Sequence, residues 1–193
     1  REIRKINPEF DIEKVPDDDP ETFAMLAEGK TQGVFQLESA GMTGVCVNMK
    51  ASSIEDITAI VALYRPGPMD SIPRFIANKL DARKVTYKTP LLEPILKVTY
   101  GCIVYQEQVM QVVRELAGYS FGRADVVRRA MAKKKKDVMD KERAVFIFGS
   151  EEMGVPGAIK NGVSQEAAEQ IETLIKEKAL SHQDNYTAVI LSC

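Results

Sequence analysis

Three stretches of the chain repeat apolar residues at helical intervals. Ile57, Ile60, Val61 and Tyr64 fall at i, i+3, i+4 and i+7; Val109, Val112, Val113 and Leu116 repeat the pattern; Ala167, Ala168, Ile171, Leu174 and Ile175 extend it later in the chain. That spacing puts each set on one stripe of a helix, which must be buried against something. The chain is therefore expected to be mainly α, with five or six helices of mixed connectivity and a few short strands.

Start and stop signals sharpen this expectation. Asp19, Pro20 and Glu21 suit a helix N-terminus and Gly29 suits its end. Ser52 followed by Glu55 reads as a capping box for the helix carrying Ile57 to Tyr64. Arg65-Pro66-Gly67-Pro68 stops that helix hard, because proline at 66 biases Arg65 out of the helical region. Gly118 ends the Val109 helix, residues 149–157 form a turn-rich loop, and Ser164 caps the last helix. Val34 to Leu37 is expected to be extended, and Tyr186 to Leu191, rich in β-branched residues, reads as a strand. Residues 1–15 read as a polar connector, and 71–99, with three prolines, as short helices and loops. Gln106, Glu107, Gln108 and Gln111 are expected on a solvated face.

Composition closes off several functions. With 193 residues and 45% hydrophobic content, the chain can bury one sizeable core or two modest ones. Three cysteines without paired spacing indicate neither a disulfide framework nor a zinc site, which fits a reducing cytoplasm. His182 is the only histidine, so a multi-histidine metal site is excluded. No window approaches the ~18 consecutive apolar residues of a membrane span. The chain begins on Arg1 rather than Met and is expected to be a piece of something longer.

The net charge of −2 hides an uneven distribution. Residues 1–60 carry twelve acids and six bases, whereas 122–143 carry nine bases against four acids, a local excess of five. In one continuous helix over 122–143, Ala124, Val127 and Met131 share an apolar face while Arg129, Lys133 and Lys136 form a cationic row. Guanidinium forks and ammonium groups make short charge-assisted bonds to phosphate oxygens, so such a row suits a phosphate partner. Lysine-rich runs also occur simply as solvated helix faces, and spacing leaves both readings open. The adjacent Arg128 and Arg129 favour positioned donors. Arg65, held by a rigid turn, is a second candidate to meet a phosphate or carboxylate.

Four phrases occur in order: GVFQLES (33–39), DITAIVALYRPGPM (56–69), TYGCIVYQEQVMQ (99–111) and AGYSFGRADVVRRAMAKKK (117–135). Together they resemble the alpha subunit of bacterial DNA polymerase III, the C-family replicative polymerase of the DnaE type. The resemblance covers about residues 15–175 and implies a multi-helix fingers-type fragment of a larger polymerase. It implies a palm/fingers junction over 1–50, a fingers core over 51–162, and a C-terminal helix with a divergent tail over 163–193. It also implies that Arg128, Arg129 and Lys133 approach the triphosphate of the incoming dNTP and that Arg65 braces the site. His182 and Tyr186 keep the spacing of a family phrase whose histidine and tyrosine lie near the nucleotide. Gln183, Asp184 and Asn185 depart from that phrase, and Ala132 stands where the family usually has glycine.

The resemblance places the catalytic aspartates, which hold Mg2+, upstream of this chain, so no catalytic or metal-binding residue is expected within it. Primer-template DNA, dNTP and other replisome subunits are the implied partners, in the cytoplasm and away from membranes. The alternative is a non-enzymatic helical module that uses its basic stretch for generic nucleic-acid or protein contact.

Overall fold

A computed structural model describes residues 2–65, 68–133 and 135–181. It divides into two compact units, Arg1–Thr58 and Ala59–Cys193. Among the described residues there are ten α-helices, and the only β-type pairing is an isolated bridge. The mainly helical expectation holds.

In the first unit, residues read as a plain connector form a short helix, α1 (Ile3–Ile6), with none of its residues buried. α2 (Pro20–Ala27) starts as its sequence indicates: the Asp19 carboxylate accepts from Thr22 N–H at 3.0 Å and Pro20 occupies the first turn. α3 (Ala40–Met49) is capped by Ser39, whose Oγ accepts from Met42 N–H at 3.3 Å. α2 packs on α3, with Phe23, Leu26, Met42, Cys46 and Met49 buried. Full burial of a side chain of this size contributes roughly 1.5–3 kcal/mol.

Residues 34–37 form turns rather than a strand. Val34 N–H donates to Thr31 O at 3.1 Å and Leu37 N–H to Val34 O at 3.0 Å, and Gln36 takes a left-handed φ of 66°. With no neighbouring strand to pair with, the backbone satisfies itself locally. Leu37 is buried while Phe35 is 86% exposed.

The unit boundary falls inside α4 (Ile54–Leu63). Its cap is one residue later than the spacing suggested. Ser53 Oγ accepts from Asp56 N–H at 3.2 Å, and the Asp56 carboxylate reaches back to Ser52 N–H at 2.9 Å. Asp56, not Glu55, is the acidic partner: it lies three residues after the capping Ser53, and its carboxylate accepts from the N–H and hydroxyl of Ser52, the residue before the cap. Ile60 is buried as expected. Ile57, Val61 and Tyr64 are half-buried, and Ala59, Ala62 and Leu63 lie deeper.

The second unit adds α5 (Ile72–Leu80), α6 (Glu93–Leu96), α7 (Gln106–Ala117), α8 (Phe121–Ala132), α9 (Lys136–Phe148) and α10 (Gln165–Ser181). α7 packs on α8, α8 on α9, and α10 on both α8 and α9. Val109, Val112, Val113 and Leu116 are all buried in the shared core, and Gly118 ends α7 at φ 74°. Ser164 caps α10, whose Ala167, Ala168, Ile171 and Ile175 face inward; Leu174 is half-buried.

Gln108 departs from the solvated face assigned to it. Its Oε1 accepts from the N–H groups of Val104 (2.8 Å) and Tyr105 (3.0 Å), and its Nε2 donates to Thr99 Oγ1 (2.7 Å) and Ile95 O (3.3 Å). The irregular segment before α7 has backbone groups that no helix satisfies, and this one amide serves them.

The loop after α9 closes two helices at once. Ala158 and Ile159 N–H donate to Phe146 O (2.8 Å) and Ile147 O (3.2 Å) of α9, while Gly157 N–H and Asn161 Nδ2 donate to Ala117 O (3.1 Å) and Leu116 O (2.9 Å) of α7. Carbonyls at helix ends, which have no partner within the helix, are thereby satisfied. The close approach is possible because Gly149 and Gly157 lie back to back at φ 84° and 85°. A Cβ on Gly149 would lie 2.3 Å from Pro156 O, and one on Gly157 would lie 2.3 Å from Gly149 N.

Candidate functional site

The basic stretch is not one helix. α8 ends at Ala132, and α9 begins at Lys136. A single rod through 122–143 would carry Met139, Phe146 and Ile147 away from α7 and α10, whereas the break lets both helices bury their apolar sides in one core. Crowded lysines oppose helix continuation at this point, since like charges three or four residues apart repel by about 0.2–0.5 kcal/mol per pair. Lys136 therefore does not continue the row formed by Arg129 and Lys133.

α8 itself follows its pattern. Ser120 Oγ accepts from Arg123 N–H at 3.3 Å, and Ala124, Val127, Ala130 and Met131 are buried. The opposite face carries Asp125, Arg128 and Arg129. Asp125 Oδ1 accepts from Arg128 Nε at 2.9 Å and Nη2 at 2.7 Å, and its Oδ2 accepts from Arg129 Nε at 2.6 Å. The hydrogen bonds from Arg128, then those from Arg129, hold the Asp125 carboxyl below its usual range. The side chains of Arg128 and Arg129 remain 33% and 64% exposed. One carboxylate thus orients two guanidinium groups without neutralising both.

At the joint between α8 and α9 lies an open pocket of about 260 Å³, lined by Val126, Arg129, Ala130, Lys133, Lys135 and Val138. Lys133 and Lys135 are exposed and have no ion-pair partner among the described residues. Three cations ring an apolar floor there.

Other bases of the stretch serve the fold. Arg123 Nη2 donates to the Glu142 carboxylate at 2.9 and 3.1 Å, and its guanidinium lies 5.3 Å from the centre of the Tyr119 ring. Tyr119 Oη donates to Glu142 Oε2 at 2.9 Å, and burial, then the Glu142 charge, pushes the phenol well above its ordinary value. Arg143 Nε stands 3.6 Å from Glu172 Oε2. Glu172 is buried and that oxygen makes no hydrogen bond among the described residues, so burial raises its carboxyl.

The remaining candidates are placed unevenly. Arg65 is half-buried after α4, outside the pocket lining, and its carbonyl accepts from Met69 N–H at 3.1 Å. His182 and Tyr186, like the expected strand over 186–191, lie outside the described residues. Asp125 and Lys135 were not among the site residues read from sequence, although the i+3 and i+4 spacing of Asp125 to Arg128 and Arg129 carries the signal for the first.

Residues 1–154 match the family described as the bacterial DNA polymerase III alpha subunit finger domain. The chain belongs to that family. It is 47% identical over 174 residues to the DNA polymerase III subunit alpha of Borreliella burgdorferi, a match covering 90% of this chain and 14% of that protein. The corresponding Caulobacter vibrioides protein is 51% identical over 156 residues, covering 81% of this chain and 14% of the relative. That of Staphylococcus aureus is 48% identical over 166 residues, covering 86% and 15%. The chain thus spans about one seventh of the length of these relatives, and the finger domain accounts for most of it. No described helix is long and apolar enough to cross a membrane.

Proposed function

We propose that the chain is the fingers part of a replicative DNA polymerase, acting in the cytoplasm on primer-template DNA and dNTP with other replisome subunits. Its task in this reading is to neutralise the triphosphate of the incoming dNTP with Arg128, Arg129 and Lys133. The observation that carries the reading is the two-to-one ratio of guanidinium to carboxylate on the exposed face of α8. Asp125 offsets one charge and fixes both forks, so the surplus is presented in a set geometry, and Lys133 adds a further cation one turn on. Arg65 braces the site from its turn, and His182 and Tyr186 approach the nucleotide and the nascent base pair.

Nucleotidyl transfer needs carboxylates that hold two Mg2+ ions roughly 3.5–4 Å apart. Among the described residues no three His, Cys, Asp or Glu side chains converge, and Asp125 is engaged by two arginines. These residues do not fit the metal pair. The reading assigns Mg2+ to aspartates elsewhere in the polymerase, and this chain alone is expected not to extend a primer.

The test is made in a full-length polymerase carrying this segment. Each charge-assisted hydrogen bond is worth about 1.5–3 kcal/mol and each 1.4 kcal/mol is tenfold, so Arg128→Ala with Arg129→Ala should lower kcat/KM for dNTP at least roughly a hundredfold. Unchanged steady-state kinetics in a folded double variant would sink the assignment.

A further inference from the structure

We propose that the small cavity where α8, α9 and α10 meet is a hydration site: one water molecule, held by Glu172, Arg143 and Glu142, is a fixed part of this core and links α10 to the enclosed charges of α8 and α9. The inference does not depend on what the exposed face of α8 binds. The cavity measures about 20 Å³ and is lined by Tyr119, Glu142, Arg143 and Glu172 together with apolar side chains such as Val127. A single water needs roughly 10–15 Å³ and two to four polar partners, so volume and chemistry agree.

Each partner has a bond to give. Glu172 is 4% exposed, and its Oε2 makes no hydrogen bond among the described residues. Burying an oxygen unpaired is costly, so a partner at that place is strongly favoured. Arg143 Nε stands 3.6 Å from Oε2, beyond hydrogen-bond reach, which is the kind of gap that a bridging water closes. Glu142 accepts from Arg123 Nη2 at Oε1 (2.9 Å) and Oε2 (3.1 Å) and from Tyr119 Oη at Oε2 (2.9 Å). That fills Oε2 and leaves a lone pair on Oε1.

A water that accepts from Arg143 and donates to Glu142 Oε1 and Glu172 Oε2 uses all three. Burial raises the Glu172 carboxyl, and a water serves it in either state, donating to the carboxylate or accepting from the acid, which a guanidinium cannot do. A run of hydrogen bonds then passes from Arg123 of α8 through Glu142 of α9 and the water to Glu172 of α10. Arg123 Nε, also buried without a hydrogen bond among the described residues, does not line the cavity and is not served by it.

Oxygen-17 relaxation dispersion of the 193-residue chain tests this, because it counts long-lived waters and ignores exchanging hydroxyl and guanidinium hydrogens. Glu172→Leu, apolar and of similar size, should remove about one long-lived water, whereas Glu172→Gln, which keeps a hydrogen-bonding group, should leave the count unchanged. Thermal melts of each variant establish that the fold is intact. Val127→Ile reaches the same cavity without touching a polar partner. It should also remove about one water and lower the melting temperature by roughly 3 °C or more, since Glu172 loses its partner. A higher melting temperature in Val127→Ile would mean that the methyl fills a dry cavity, and would overturn the site. An unchanged water count in Glu172→Leu would overturn it too, as would a lower melting temperature in Val127→Ile with the count unchanged, which is overpacking alone.

Discussion

Two arginine clusters on α8 differ in a way that separates a brace from a binding face. Arg123 meets Glu142 one to one, with side-chain exposures of 20% and 13% and the Tyr119 ring closing one side. Arg128 and Arg129 share a single carboxylate, and most of the Arg129 side chain is open to water. The first arrangement is charge-balanced and enclosed, which suits holding α8 against α9. The second keeps a surplus and an open side, which suits an anion arriving from outside.

The contrast breaks most visibly at Glu142. Glu142→Ala would strand the Arg123 guanidinium and the Tyr119 hydroxyl in a mostly buried place, and stability should fall by roughly 3 kcal/mol, measured by urea or thermal unfolding. A loss no larger than that of an exposed pair would erase the distinction between the clusters. Asp125→Asn is the counterpart. It should lower the melting temperature only slightly, and only above the acidic range, yet raise tripolyphosphate affinity about threefold at low salt, with the gain shrinking at high salt as screening takes over. If Asp125→Asn instead weakens binding at low salt, its orienting role outweighs its charge.

A buried carboxylate elsewhere in the core, Glu172, and the arginine-paired Asp125 also answer pH in opposite directions. Glu172 is raised by burial, so its neutral form favours the fold; that stability is complete below the unfolded-state value and is lost as pH rises through the folded one. Glu172→Gln should therefore gain on the unaltered chain as pH climbs from the ordinary carboxylate range. Asp125 is lowered by its arginines, so its contribution is present above the ordinary value and disappears as pH falls through the depressed one. Parallel melts across acidic to neutral pH should show the two variants' differences running in opposite directions. The smallest effect belongs to the exposed pair of Lys176 and Asp140, 2.7 Å apart. Lys176→Ala should change the melting temperature by no more than roughly one degree, because solvent competes for both partners.

Much of this was legible in the residues alone. The Val109 to Leu116 stripe, the Asp19 and Ser164 caps and the Gly118 stop all act as their chemistry indicates, since each depends on neighbours within a turn. What escaped was set by contacts distant in sequence. Gln108 looks like any solvated glutamine until the segment from Ile95 to Tyr105 folds over it. Glu172 sits one residue from buried Ile171 and is drawn in with it. The helix break at Lys133 to Lys135 depends on where the apolar sides of α8 and α9 find a common core, which no local window contains. For the same reason a local window places Lys136 in the cationic row and leaves Lys135 out of it.

Gly149 and Gly157 carry a consequence for how this segment can vary. Gly149 leaves room for the Val155 and Pro156 carbonyls and Gly157 for the backbone of Gly149, and neither has a side chain to give up, so a substitution at one cannot be offset by shrinking the other. The two positions must be inherited as a pair. The loop between them is freer at Met153, which is exposed, whereas Gly154 has open space for a Cβ but a φ of 63° that disfavours one. Variation should therefore gather at the exposed residues 151–153 and stop at the glycines that flank them, because the hydrogen bonds that close α7 and α9 lie beyond.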